Sequence, residues 1–212
     1  MPGGVGAYTR ELAKALVAQG VRVTVLTSQR AADHNYLRDG VSLRVLPVIQ
    51  KWDWSIWRTV GQLAHEMTVD WLHVQYQTAA YGMHPAINLA PRRWREQGLR
   101  VAWTYHDLLV PYLFPKAGRR LRGWITEEPG RCARLTVVTN EGDRQRLAEH
   151  AIAAASIPIG SNVAGCCLAP ADRTAERAAL GYNDGDLVIA YFGFLNRSKG
   201  GLALVRTLHR LV

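Results

Sequence analysis

Apolar residues in the first twenty positions recur at helical spacing. Leu12, Leu16 and Val17, with Ala13 and Ala15, make one face, and Gly20 follows where a helix-terminating glycine belongs. The period then shortens. "VRVTVLT" (Val21 to Thr27) and "VSLRVLPV" (Val41 to Val48) are short, β-branched runs and predict strands. A helical pattern from Trp54 to Met67 precedes the strand "WLHVQY", and a helix from Pro85 to Gln97 stops at Gly98 before the strand "LRVAWTYHD". A basic helix over Lys116 to Arg131 leads to the strand "RLTVVTN". The segment "EGDRQRLAEHA", with Glu141 and Asp143 in its first turn, predicts a helix ahead of the short strand "SIPIG".

Strands rich in Val and Leu that alternate with helices predict a doubly wound parallel α/β sheet, Rossmann-like and covered on both faces. In such sheets ligands lie beyond the carboxyl ends of the strands. Around "GYNDGD" (Gly181 to Asp186) the composition turns to loop formers, and "LVIAYFGFL" then predicts a fresh strand, followed by "NRSKG" and the helix "GLALVRTLHRLV". The expected division is a first domain over 1–183 and a linker with one strand and one helix of a second domain over 184–212. So short a piece cannot bury a core alone, which predicts a truncated second domain. At the other end, "MPGGVGAYTR" places Gly3-Gly4-Val5-Gly6 directly before the first helix. A glycine loop of this kind normally hangs from a strand, so the first strand is expected to be missing too.

Composition narrows the class. With 212 residues, 48% hydrophobic and 20% charged, the chain is globular in character. No apolar run reaches the roughly 18 residues of a membrane span, and the N-terminus lacks the basic-then-apolar order of a signal peptide. The expectation is a cytoplasmic protein, at most peripheral to the inner face of the membrane. Cys132, Cys166 and Cys167 form no disulfide framework and no zinc spacing, and read as reduced thiols. The formal net charge of +9 and a pI near 9.9 point to anionic partners or to solvated charge spread over helices.

The strand ends gather the candidate chemistry: the Gly3 to Gly6 turn, Gln75 and Tyr76, Tyr105-His106-Asp107, Thr139-Asn140-Glu141, and Gly193 through Lys199. A glycine-opened helix start offers backbone N–H groups and a positive dipole end to a phosphate. Together "GGVGAYTRELAKALVAQGVRVTVLT", "DWLHVQY", "TYHD" and "GFLNRSKG" resemble, in order and spacing, the glycosyltransferases of family GT4 with the GT-B fold. The resemblance covers almost the whole chain, as the N-terminal domain and the start of the C-terminal one.

The resemblance implies an enzyme that transfers a hexose from a nucleoside diphosphate sugar to an acceptor with retention of configuration. The donor would lie in the cleft between two Rossmann-like domains and the acceptor mainly on the first. No metal and no cofactor are expected, because fixed donors can stabilise a diphosphate leaving group. His106 corresponds to the histidine near the transferred sugar and is the catalytic candidate. Gly3, Gly4, Gly6, Asn140, Gly193, Arg197 and Lys199 are the donor-binding candidates, and Tyr8, Gln75, Tyr76 and Asp107 the acceptor-side ones. The sequence departs from the family pattern at Phe194, where an arginine is usual, so Arg197 or Lys199 would grip the diphosphate. The acidic donor-contacting region is expected beyond Val212, and the chain alone is expected to show no turnover. "DGD" (Asp184 to Asp186) reads as a turn and not as a metal motif.

Other classes make weaker use of the same residues. A nicotinamide dehydrogenase would need a third glycine in "GGVGAY" and an acid after "VTVLTSQ". The alternative to catalysis is a nucleotide- or nucleic-acid-binding α/β protein, resting on Arg92, Arg93, Arg95 and Arg100 and on Lys116, Arg119, Arg120 and Arg122 with Trp124; no nucleic-acid motif accompanies these charges, and nucleic acid is not the expected partner. In "PYLFPKAGRRLRGWI" the same arginines stand beside Leu113, Phe114, Leu121 and Trp124. That pattern fits an anionic membrane surface and a lipid-linked acceptor, or a solvated helix packed by its apolar face.

Overall fold

The computed structural model describes residues 4–29, 43–110, 118–161, 169–183, 185–191 and 200–211. They form two compact units, 1–162 and 163–212. In the first, the order is α1 (Gly4–Ala18), β1 (Val23–Ser28), β2 (Leu43–Ile49), α2 (Ile56–Glu66) and β3 (Leu72–Tyr76). A short 3-10 turn (Thr78–Tyr81), α3 (Ala86–Glu96), β4 (Val101–Tyr105), α4 (Arg119–Cys132), β5 (Leu135–Val138), α5 (Glu141–Ala148) and β6 (Ala155–Ser156) complete it.

Every strand pairing among the described residues is parallel, and the strands fall into two sheets, β1-β2 and β3-β4-β5-β6. The chain is the mixed α/β, Rossmann-like domain that the alternating pattern predicted. Helix α1 rests against β1, β2 and β3, so it spans the two sheets. From β3 to β6 the strands advance in one direction. Right-handed crossovers then carry α3, α4 and α5 over a single face.

The alternation of side chains along β3 and β4 gives the two faces opposite characters. Val74, Tyr76, Val101, Trp103 and Tyr105 join Ile87, Ala90 and Trp94 of α3 and Leu147 of α5 in one buried cluster. Tyr76 lies 5.0 Å from Trp103 and 5.8 Å from Tyr105 between ring centroids. Burial of such rings contributes on the order of 2–3 kcal/mol each before ordering costs. Indole N–H groups tie α2 to α3: Trp57 donates to the Ala86 carbonyl (2.8 Å) and Trp94 to the Trp57 carbonyl (3.2 Å). His73, Gln75 and Thr104 occupy the other face.

Helix α4 is fastened to the end of β4 by one buried hydroxyl. Tyr105 Oη donates to the Thr126 carbonyl (2.8 Å) and accepts from the Gly130 N–H (3.1 Å), the pair that an undisturbed helix joins directly. Pro129 stands inside the helix at this point, and a side chain inserted into the ladder beside a proline is a recognised cause of bending. Two acidic residues of the same turn are also buried. Glu127 pairs with Arg131 (2.8 Å) and His150 (2.7 Å), and Glu128 with Arg92 of α3 (3.4 Å) and the Cys132 thiol (3.3 Å). Burial pushes that thiol up, as expected of an inert cysteine; Cys166 and Cys167 lie outside the described residues.

The second unit contains α6 (Pro170–Ala179) and α7 (Gly201–Leu211). The sequence analysis did not predict α6, whose only apolar positions at helical spacing are the small Ala171, Ala175, Ala178 and Ala179, set among Arg, Glu and Asp; intrinsic helix propensity and Pro170 in its first turn favour the helix. Asp184 of the "GYNDGD" stretch lies outside the described residues; on either side of it the Asp186 N–H donates to the Asn183 carbonyl (3.1 Å) and Asp186 Oδ2 accepts from the Asn183 N–H (2.6 Å), as the expected turn requires. The strand expected over 187–195 is not formed where it is described. Residues 187–191 are irregular, with Leu187 79% exposed, because they pair with no strand among the described residues. The rest of that stretch lies outside the description.

Candidate functional site

Parallel pairing ends at Tyr76 on β3 and Tyr105 on β4, and the next residue of β4's path is His106. Its backbone N–H donates to the Tyr76 carbonyl (2.9 Å), which extends the ladder by one rung and fixes the histidine at the carboxyl edge of the sheet. The carbonyl of His106 accepts from the Thr139 hydroxyl at the end of β5 (3.4 Å). The loop that follows is pinned from three sides. Asp107 Oδ1 accepts from the Leu109 N–H (3.3 Å), Thr78 donates to the Leu109 carbonyl (3.2 Å), and Arg146 of α5 donates to the Leu108 carbonyl (2.9 Å). A backbone held this firmly fixes the point from which the His106 side chain projects.

Half-buried His106 touches two of the acceptor-side candidates, one on α1 and one on β3. The Tyr8 ring of α1 meets it edge-on at 4.6 Å between centroids, and its Nε2 lies 3.1 Å from Gln75 Oε1. Gln75 Nε2 lies 3.0 Å from His73 Nε2, and that nitrogen is 2.8 Å from the Thr104 hydroxyl. Burial holds the His106 imidazole below its ordinary range, and Asp107 offsets this in part. His73 is lowered by the same cause, with a smaller contribution from His106. Both rings are therefore biased to the neutral form, because the surrounding protein disfavours a charge it does not neutralise.

The expected glycine loop is helical from its second glycine onward. Gly4, Val5 and Gly6 are the first turn of α1, and Gly3 lies outside the described residues. The N–H groups of a first helical turn have no partner within the helix, so the anion-binding property expected of a loop belongs here to the helix terminus. A Cβ built on Gly4 or Gly6 would meet nothing within 4 Å. Tyr8, one turn further along α1, connects this turn with His106.

The other candidates separate. Tyr76 is fully buried, its hydroxyl engaged with Thr78 (3.1 Å) and Asn88 (3.4 Å), so its side chain belongs to the core. Gln75 is 8% exposed and spends its amide between two histidines. Asn140 is the N-cap of α5: its Oδ1 accepts from the Asp143 N–H (2.8 Å) and its Nδ2 donates to the Asp143 carboxylate (2.8 Å). Gly193, Arg197 and Lys199 lie outside the described residues. Sequence reasoning did not single out His73 or Thr104 as working side chains. The available signal was period two: His73 with Gln75, and Thr104 with His106, each alternate onto one face of neighbouring strands.

These strand ends carry the identity of the chain. The sequence profile of the family described as a glycosyl transferase 4-like domain matches residues 3–160, from the opening glycines to the end of the last strand. The chain belongs to this family. None of the curated proteins compared with it matches. As a glycosyl transferase 4-like domain it serves the transfer of a sugar from a donor to an acceptor, and the resemblance read from "GGVGAY" and "TYHD" is thereby shown.

Proposed function

We propose that this glycosyl transferase domain acts on a nucleoside diphosphate hexose, retains the anomeric configuration, and works without a metal ion, with His106 beside the reacting sugar. The observation that carries the reading is the meeting of α1 with the end of β4. Tyr8 places the glycine-opened helix terminus, an anion-attracting group, next to the half-buried His106, although the two are far apart in sequence. A diphosphate at the first turn of α1 would accept hydrogen bonds from N–H groups that have no partner within the helix, and the dipole would stabilise the charge that develops as the sugar leaves. The resemblance adds Gly193, Arg197 and Lys199 as contributors to the diphosphate and Asp107 to the acceptor side. His106 polarises a hydroxyl of the transferred sugar.

The test uses the gene product that carries these residues, incubated with UDP- and GDP-hexoses while nucleoside diphosphate release and the anomeric form of the product are followed. A retained anomer is expected, undiminished by chelator, with His106→Ala lowering kcat by ~10² at unchanged thermal stability. An inverted product, or a His106→Ala protein that keeps kcat and melts several degrees lower, overturns the reading.

A second observation favours a membrane-facing role for α4. Its buried side chains, from Thr126 to Cys132, all lie in the C-terminal half. In the N-terminal half Leu121 and Trp124 are 51% and 42% exposed, on the turn that carries exposed Arg119 and Arg120. Apolar side chains left out of the core beside arginines suit the headgroup boundary of an anionic bilayer and a lipid-linked acceptor. Leu113, Phe114 and Lys116 lie outside the described residues, and no described helix is long and apolar enough to cross a membrane.

A further inference from the structure

The polar string Thr104, His73, Gln75 and His106 has a direction, set by the one member that cannot reverse without reversing both neighbours. A side-chain amide carries a donor at one end and an acceptor at the other. Gln75 presents Nε2 to His73 (3.0 Å) and Oε1 to His106 (3.1 Å). An NH2 group can only donate, so His73 Nε2 must carry its lone pair; the Thr104 hydroxyl, 2.8 Å from the same nitrogen, then donates as well. The amide oxygen can only accept, so His106 Nε2 must carry the proton. A neutral imidazole has one N–H, so His106 Nδ1 is left bare.

We propose that Gln75 is a positioning residue that fixes His106 as the Nε2–H tautomer and leaves Nδ1 as a hydrogen-bond acceptor for a hydroxyl of the reacting sugar, with His73 and Thr104 orienting the amide. The catalytic half of this statement rests on the placement of His106 proposed above; the tautomer half does not. Gln75 is nearly buried and both ends of its amide are engaged, so it acts through His106 and does not touch the acceptor. Its backbone is also fixed. The Tyr81 hydroxyl donates to the Gln75 carbonyl (2.9 Å), and Gln75 pairs in register with Thr104. Reversal of the amide would turn His106 into an Nδ1–H donor and so exchange its chemical role.

The tautomers can be read directly from long-range 1H–15N correlation spectra of [15N]histidine-labelled protein near neutral pH, the signals assigned with His73→Gln and His106→Gln variants. The expected wild-type spectrum shows His106 protonated at Nε2 and His73 protonated at Nδ1. Gln75→Leu should turn the His106 pattern into an average of both tautomers, whereas Gln75→Glu, which keeps an acceptor for Nε2–H, should hold it. With UDP- or GDP-hexose as probe, Gln75→Leu should lower kcat by about tenfold with KM little changed, and Gln75→Glu should recover part of the loss. A wild-type His106 protonated at Nδ1, or a Gln75→Leu spectrum identical to wild type, overturns the proposal. A tautomer shift in Gln75→Leu with kcat intact overturns the catalytic placement of His106 and leaves the amide assignment standing.

Discussion

Two glycines of α4 should respond in opposite directions to the same substitution. Gly123 and Gly130 both lie inside the helix, and neither has a positive φ. Gly→Ala at such a site removes conformational freedom from the unfolded chain and stabilises by about 0.5–1 kcal/mol when the methyl group has room. At Gly123 a Cβ would meet nothing within 4 Å, so Gly123→Ala should gain that amount. At Gly130 it would stand 2.8 Å from Ile152 Cγ2, with Tyr105 Oη at 3.5 Å. Ile152 is 3% exposed and belongs to the core cluster, so it cannot swing away into solvent. Overpacking of this kind costs about 1–3 kcal/mol, more than the entropic gain. Gly130→Ala should therefore destabilise by roughly 1–2 kcal/mol. It should also loosen the Tyr105 hydroxyl bridge that seats α4 on β4. Urea unfolding followed by circular dichroism would measure both variants through shifts of the midpoint at constant m. Two midpoints that rise together would refute the argument. Ile152→Val offers an internal check: it keeps Cγ2, so it should not relieve Gly130→Ala.

The neutral histidines predict a pH dependence. His73 and His106 both have folded pKa values below the ordinary value of about 6.5, so the unfolded chain binds protons that the folded one refuses. The stability they confer is complete above that value and is lost as pH falls below it, through the lower folded values. The melting temperature should therefore drop as pH falls below about 6.5, and a His73→Gln, His106→Gln double variant should flatten the slope there. An equal slope in the double variant would assign the dependence elsewhere. For the membrane reading, Arg119, Arg120 and Arg122 changed together to Gln should weaken binding to acidic liposomes by about 10²-fold, from about 1 kcal/mol each, and added salt should weaken wild-type binding. Salt-independent binding, or equal binding by wild type and variant, would return these residues to ordinary surface charge.

Local sequence determined the elements of the first unit because each carries its own signal. The helical period of Leu12, Leu16 and Val17, the β-branched runs and the terminal glycines at 20 and 98 act over a few residues, and they predicted α1, β1 and the boundary of α3. The order of glycine turn, "TYHD" strand end and alternating strands was enough to suggest the glycosyl transferase family, because those residues sit where parallel strands end. Helix α6 escaped because its helical period, Ala171, Ala175, Ala178 and Ala179, is written in alanine alone, without the large apolar residues that marked the other helices. The working geometry around His106 was also illegible, for a different reason. Gln75 and Tyr76 are neighbours in the chain and looked alike as acceptor-side candidates. Strand alternation sends one to the polar face between two histidines and the other into the aromatic core. His73 became relevant only through strand register, which pairs β3 with β4 and brings Gln75 opposite Thr104. The division into two parallel sheets spanned by α1, and the insertion of Tyr105 beside Pro129 and Gly130, likewise depend on contacts between residues distant in sequence. Such contacts are decided by how elements share a common core, and no local pattern records that choice.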